Sequence, residues 1–313
     1  MKENSVGAFS RPHGDIARWH IVLAFTSAIY LYLNLFSSLR FPFLLSGDQI
    51  YFWMGAQRIV GGQAIYRDFF QCTPPGTDLV YAACFKVFGE TIWVTNAVAL
   101  VLGVLSACLC FSLARQLMKN APAMLATALF LVLIYGKFLN ATHHWFAVLL
   151  IFLAVRVSME RLSIGRMAWS GALLGLASFF NHVHAAAALF AFVIYLLLSG
   201  VRKHEERVHM AKSAAALILT FGAVALCLYA HYLGTVGFER LWFCLVQAVS
   251  RYAAETPWSF GLPGRLGWRL SPDCCRIWLF TSFCHWSTRL PSGNAGACAA
   301  TCSFPGTRPR SSV

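Results

Sequence analysis

The sequence predicts an all-α polytopic membrane protein, a bundle of about seven transmembrane helices with short juxtamembrane helices in the first outer loop. Three observations carry this. Of 313 residues, 58% are hydrophobic and only 12% are charged, about half the charged fraction of a typical soluble domain. The mean hydropathy is +0.62. The apolar residues also fall into runs that approach the length needed to cross a hydrocarbon core of about 30 Å.

Taken in order, the expected spans are Trp19–Leu39, Thr91–Leu117, Ala121–Tyr135, Trp145–Met159, Met167–Phe180, Ala185–Gly200 and Ser213–Leu233. The first run is too long for a signal-peptide core and lacks a small-x-small cleavage site, so it reads as an uncleaved span. The third to sixth runs are short, which leaves their ends open by several residues. Gly171 and Gly175 in the fifth span form a small-xxx-small pattern that lets helix backbones approach closely.

The basic residues orient the bundle. With the N-terminus inside, the inner segments hold Lys2, Arg11, Arg18, Arg115, Lys119, Arg156, Arg161, Arg166, Arg202, Lys203, Arg207 and Lys212. The longer outer segments, including the stretch from the last span to residue 260, hold Arg40, Arg58, Arg67, Lys86, Lys137, Arg240 and Arg251. The bias predicts a cytoplasmic N-terminus. The net charge of +13 would suggest nucleic acid in a soluble protein. Here many basic residues sit in short loops between apolar runs, where topology places them, and no nucleic-acid partner is expected. The run Arg202–Arg207 suits contact with anionic membrane lipids.

The chain reads as three regions: a cytoplasmic N-terminus 1–18, a transmembrane domain 19–260 with its first outer loop at 40–90, and a Cys/Arg/Ser/Pro-rich tail 261–313. The tail holds Cys274, Cys275, Cys284, Cys298 and Cys302 without a helical period. It reads as a disordered basic segment, as a zinc module with irregular Cys spacing and a lone His285, or as translation in a shifted frame. The abrupt change of character favours the shifted frame. The remaining Cys are scattered through apolar sequence and read as small buried hydrophobes.

The first outer segment carries the most information: FPFLLSGDQIYFWMGAQRIVGGQAIYRDFFQCTPPGTDLVYAACFKVFGE. Ile50–Val60 and Leu79–Phe88 are apolar or amphipathic but too short to span, so they read as interfacial helices. Gly61-Gly62 and Pro74-Pro75 break the chain between them. Asp48 and Asp78 each suit the start of a helix, where a carboxylate accepts from free backbone N–H groups. Asp68 follows Arg67 and suits either a local pair or a second functional carboxylate.

Histidines form a second group. His143 and His144 lie at the outer end of the fourth span. Asn181, His182 and His184 lie between the fifth and sixth, and His231 lies near the outer end of the seventh. Polar residues at membrane depth mark substrate paths. The N-H-x-H spacing also suits a metal ion with a carboxylate.

The ordered series in the first loop resembles the GT-C superfamily of membrane glycosyltransferases. The series is Asp48 just after the first span, a helix, Gly62-x-x-x-Tyr66-Arg67-Asp68-Phe69, Pro74-Pro75-Gly76, an apolar helix and Phe88-Gly89. It is similar to the family 39/83-like groups: protein mannosyltransferases, aminoarabinose transferases of lipid A, and the galacturonosyltransferase-like domain of lipopolysaccharide core synthesis. The resemblance covers roughly residues 15–260.

It implies a GT-C-like bundle and transfer of a sugar from a polyprenyl-phosphate donor to a lipid, glycan or protein acceptor. The reaction would lie at the outer face of a bacterial inner membrane. It implies Asp48 as general base or acceptor-orienting carboxylate, in some members with a divalent metal ion. By residue type and place Asp68 is the candidate second catalytic carboxylate, and Tyr66, Arg67, His143, His144, Asn181, His182 and His184 are the candidate substrate contacts; the family more often has Lys or Arg where the histidines stand. Family members usually run longer, so these spans read as the first part of a larger enzyme, and the 313-residue chain is expected to be weakly active or inactive as it stands. A transporter or flippase-like protein is the alternative, but such proteins place charges near the midplane, where this sequence carries almost none.

Overall fold

The structure is a computed structural model, and it describes residues 13–36, 47–160, 162–202 and 207–255. The expected tail 261–313, residues 1–12 of the expected N-terminal region and Arg40 lie outside the described residues. The chain divides into two units, Met1–Arg251 and Tyr252–Val313, and the helical bundle lies in the first.

The elements are helices: α1 (His13–Leu35), α2 (Gly47–Val60), α3 (Gly76–Phe88), α4 (Ile92–Leu117), α5 (Asn120–Leu129), α6 (His143–Glu160), α7 (Ile164–Ser178), α8 (His182–Arg202), α9 (Arg207–Val236), α10 (Phe238–Trp242) and α11 (Ala248–Glu255). The α5 helix continues through a π turn, Phe130–Tyr135, and a 3-10 turn, Gly136–Phe138. An isolated bridge between Ile65 and Phe69 is the extended pairing among the described residues.

The protein is thus all-α, with a helix at each expected span. Ile92–Leu117, Asn120–Phe138, His182–Val201 and Arg207–Val236 are long and apolar enough to cross a membrane, and His143–Met159 is a shorter apolar helix. Large apolar side chains such as Phe25, Phe190 and Leu219 are about two-thirds exposed. That surface suits lipid rather than water.

Small residues set the helix spacing. A Cβ built on Gly171 would fall 2.2 Å from both Leu217 O and Thr220 Oγ1, and one on Gly175 would fall 2.8 Å from Phe221 O. The α7 backbone therefore lies directly on α9, as the small-xxx-small pattern predicts. Thr220 Oγ1 donates across the same seam to Ala168 O at 2.9 Å. Ser170 Oγ donates to Ala154 O at 3.0 Å and ties α7 to α6.

One core packs α1, α2, α3, α4 and the start of α6 around Leu31, Phe52, Tyr81 and Tyr135. Another packs α6 to α9 around Met167, Leu174, Leu196 and Leu217. At one end of the bundle the loop residues Ile65, Tyr66 and Phe69 pack on Tyr232, Leu241 and Cys244. Residues 238–255, expected as part of an outer segment, form α10, a π turn at Phe243–Gln247 and α11. The turn into α10 is made at Gly237, whose φ of +86° only glycine adopts without strain.

Candidate functional site

The two interfacial helices form as the sequence predicts, and three hydrogen bonds from α3 and its neighbours decide what they face. Gly76 N–H donates to Phe179 O at 2.9 Å, at the end of α7. The Tyr81 hydroxyl donates to Ala141 O at 2.6 Å, two residues before His143. Gln49 Nε2, in the first turn of α2, donates to Asn96 Oδ1 on α4 at 3.3 Å. These bonds draw the first loop over the starts of α6 and α8.

Asp48 stands exposed in the first turn of α2. Phe52, one helical turn on and on the same face, packs on the His143 ring with centroids 5.3 Å apart. Asp48 is close enough to His144 for its charge to act on the imidazole. The His143 and His144 ring centroids lie 3.9 Å apart, and His144 and His184 lie 5.1 Å apart. Asn181 joins this group in two ways. Its Oδ1 accepts from His184 N at 3.1 Å, capping α8, and its Nδ2 lies 3.1 Å from His144 Nδ1. The Nδ1 atoms of His143, His182 and His184 are buried without a hydrogen-bond partner among the described residues. Asp48, His143, His144, Asn181 and His184 are thus brought together, with His182 beginning the same helix.

The 63–75 segment behaves differently. Asp68 Oδ1 accepts from Arg67 Nε at 2.9 Å, and Oδ2 accepts from Arg67 Nη2 at 3.0 Å and from Ala64 N at 2.7 Å. The Arg67 guanidinium first, and the Ala64 amide second, hold its carboxyl down to about 2. Asp68 therefore closes a tight turn. Tyr66, buried with a φ of +66°, donates its hydroxyl to Thr73 O at 2.7 Å and sits edge-on to Tyr232 at 5.6 Å. A left-handed tyrosine carries backbone strain that the packing around it must offset. Arg240 Nη2 donates to Arg67 O at 2.9 Å and ties the turn to α10.

His231 does not share the ring contacts of the other histidines. It lines, with Gln63, Arg67, Tyr232 and Thr235, a cleft of about 230 Å³. Arg67, with Asp68 paired to it, thus faces the end of α9, not the cluster at α6 and α8.

Asp78 is a correction. The helix-capping position of α3 is Pro75, with no side-chain cap. Asp78 is instead fully buried and accepts from Gln71 Nε2 at 2.9 Å on both oxygens. Burial pushes its carboxyl up to about 8, against the opposing pull of Gln71. The roles of Gln71, Tyr81 and Asn96 depend on partners 7, 60 and 61 residues away, so no local pattern announces them.

Among the described residues no three His, Cys, Asp or Glu side chains are disposed to hold a metal ion. The histidines meet through their rings and through Asn181.

Residues 73–228, about half of the chain, match the family model described as dolichyl-phosphate-mannose-protein mannosyltransferase. No curated protein and no solved structure matches the chain. The matched segment runs from the Pro-Pro-Gly turn through most of α9, and so takes in α3, the histidine cluster and the α7–α9 seam. The chain belongs to the GT-C superfamily of membrane glycosyltransferases.

Proposed function

We propose that the chain moves a sugar from a polyprenyl-phosphate-linked donor to a lipid, glycan or protein acceptor at the outer face of a bacterial inner membrane, with its N-terminus cytoplasmic. The observation that carries this reading is the exposed carboxylate of Asp48 beside His144, in a cluster where the buried Nδ1 atoms of His143, His182 and His184 have no partner among the described residues. A buried polar atom without a partner is destabilising by about 1–3 kcal/mol, and a phosphate oxygen would relieve that. The basic residues that favour this orientation are those of the inner loops.

The chemistry follows from the residue types. The acceptor hydroxyl or amine attacks the sugar C1, the C1–O bond to phosphate breaks, and the proton passes to Asp48. The departing phosphate needs hydrogen-bond donors more than a strong acid. His143, His144, His182 and His184 supply them, with Asn181 holding His144 in place. We assign the base to Asp48 and not to Asp68, because both Asp68 oxygens already hold the turn. Arg67, on the 230 Å³ cleft, suits a second phosphate or carboxylate contact. The fully buried Tyr66 shapes the loop that presents Arg67.

The test is Asp48→Asn, assayed in membrane vesicles with a panel of polyprenyl-phosphate hexoses and pentoses. Loss of a general base lowers transfer by about 10²-fold or more. Undiminished transfer refutes the assignment.

A further inference from the structure

The proposed transfer leaves the carboxyl of Asp78 without a part. It is fully buried, and each oxygen accepts from Gln71 Nε2 at 2.9 Å. Its third wall is α2. A Cβ built on Gly55 would lie 2.0 Å from Asp78 Oδ1, so the carboxyl rests on the bare Cα of that helix. Beside Gln71, Cys72 N–H donates to the Tyr51 hydroxyl on α2 at 3.0 Å. Two residues before Asp78, Gly76 N–H donates to Phe179 O at 2.9 Å. These contacts clamp the helix that carries Asp48, the 63–75 segment, and the end of α7 that leads to Asn181.

The clamp depends on a proton. Burial without a cationic partner favours the acid form of a carboxyl, and at Asp78 it outweighs the hydrogen bonds from Gln71 and from its own backbone N–H, which favour the ionised form. Burial is the largest influence on Asp78, which titrates at about 8. The titratable groups that face it are phenols: Tyr51 from α2, Tyr66 from the loop, Tyr81 from α3 and Tyr232 from α9. The Cys72 thiol lies beyond, 3.4 Å from the Tyr51 hydroxyl. None of these is a cation that would hold Asp78 ionised.

We infer that Asp78 is a positioning residue: protonated, it closes the 63–75 segment onto α2 and so sets where Asp48 stands against the histidines, and its ionisation releases the segment. The catalytic consequence rests on the reading of Asp48 given above; the clamp itself does not.

The sign follows from linkage. The closed segment keeps the proton up to about 8, whereas a solvated aspartate releases it near 4. The contribution of Asp78 to closure is complete below about 4 and is lost as pH rises to about 8. Across that window the ratio of open to closed segment grows about tenfold per pH unit.

Hydrogen exchange of the peptide spanning Gln71 and Cys72 reads this directly, on the full chain in nanodiscs between pH 5 and 7.5. Exchange is first order in hydroxide once the segment is open. Wild type is expected to show an apparent order of two, about a hundredfold per pH unit. Asp78→Asn, neutral at every pH, is expected to show an order of one. Wild type at order one overturns the inference whether or not the variant folds, and so does Asp78→Asn at order two. Asp48→Asn should leave the exchange order at two while lowering transfer by about 10²-fold or more. Failure of the clamp and failure of the proposed function are thereby told apart.

Discussion

Replacing Gly76 by alanine tests whether the junction between the first loop and α7 builds the site. The added Cβ would lie 2.6 Å from Phe179 O and 2.9 Å from Phe180 Cδ1. The nearer neighbour is backbone and cannot rotate away, so α3 or the end of α7 must shift. Overpacking of this kind costs about 1–3 kcal/mol. The shift also weakens the Gly76 N–H to Phe179 O bond of 2.9 Å, and leaving a buried group poorly paired adds about 1–3 kcal/mol. The two overlap, and a net loss of about 2–4 kcal/mol is expected. Asn181 lies two residues beyond Phe179 and holds His144 at 3.1 Å, so the displacement reaches the histidines. A misplacement near 1 Å can lower a rate by about 10²-fold, and transfer should fall by about 10- to 100-fold. Thermal unfolding in detergent and donor transfer in vesicles measure the two effects. The control is Gly222→Ala on α9, where a Cβ would meet nothing within 4 Å and alanine favours the helix by up to about 1 kcal/mol. The reasoning fails if Gly76→Ala matches this control in both assays.

Two further predictions concern the bundle and the turn. Gly171→Ala should separate α7 from α9, since its Cβ would lie 2.2 Å from Leu217 O; a loss of about 1–3 kcal/mol in detergent unfolding is expected, and an unchanged midpoint would contradict the close seam. Asp68 has its carboxyl lowered to about 2 by Arg67, so its contribution to the turn is present above the unfolded value near 4 and is lost only as pH falls through about 2. Trypsin cleavage after Arg67 should therefore be slow, with a closed turn at every pH where the protease works, and Asp68→Asn should speed it. Equal rates for the two proteins would show that the pair does not close the turn.

The class of the protein and the positions of most of its helices are legible in the chain alone. Composition and run length are local, and a lipid-facing helix declares itself by them without reference to any other part of the chain. The same holds for α2 and α3, bounded by Gly61-Gly62 and Pro74-Pro75, and for Gly171 and Gly175, whose spacing places both on one helix face. The superfamily is legible too, as a resemblance that the family match over residues 73–228 bears out. The helices at 238–255 are not, because their apolar residues are too few and too interrupted for a span.

Which polar residues share a place is settled by packing. Asp48 and Asp68 are equivalent as letters in one loop, yet one stays exposed beside the histidines and the other is tied to Arg67 and Ala64. His144 and His231 are expected on the same face, yet His144 joins His143 and His184 while His231 lines the cleft with Arg67. Asp78 suits a helix cap by position, and is a buried acid because Gln71 and Gly55 close over it. In each case the environment of a carboxyl or an imidazole is made by segments distant in the chain. Desolvation and hydrogen bonding, which set its chemistry, exist only once those segments have packed.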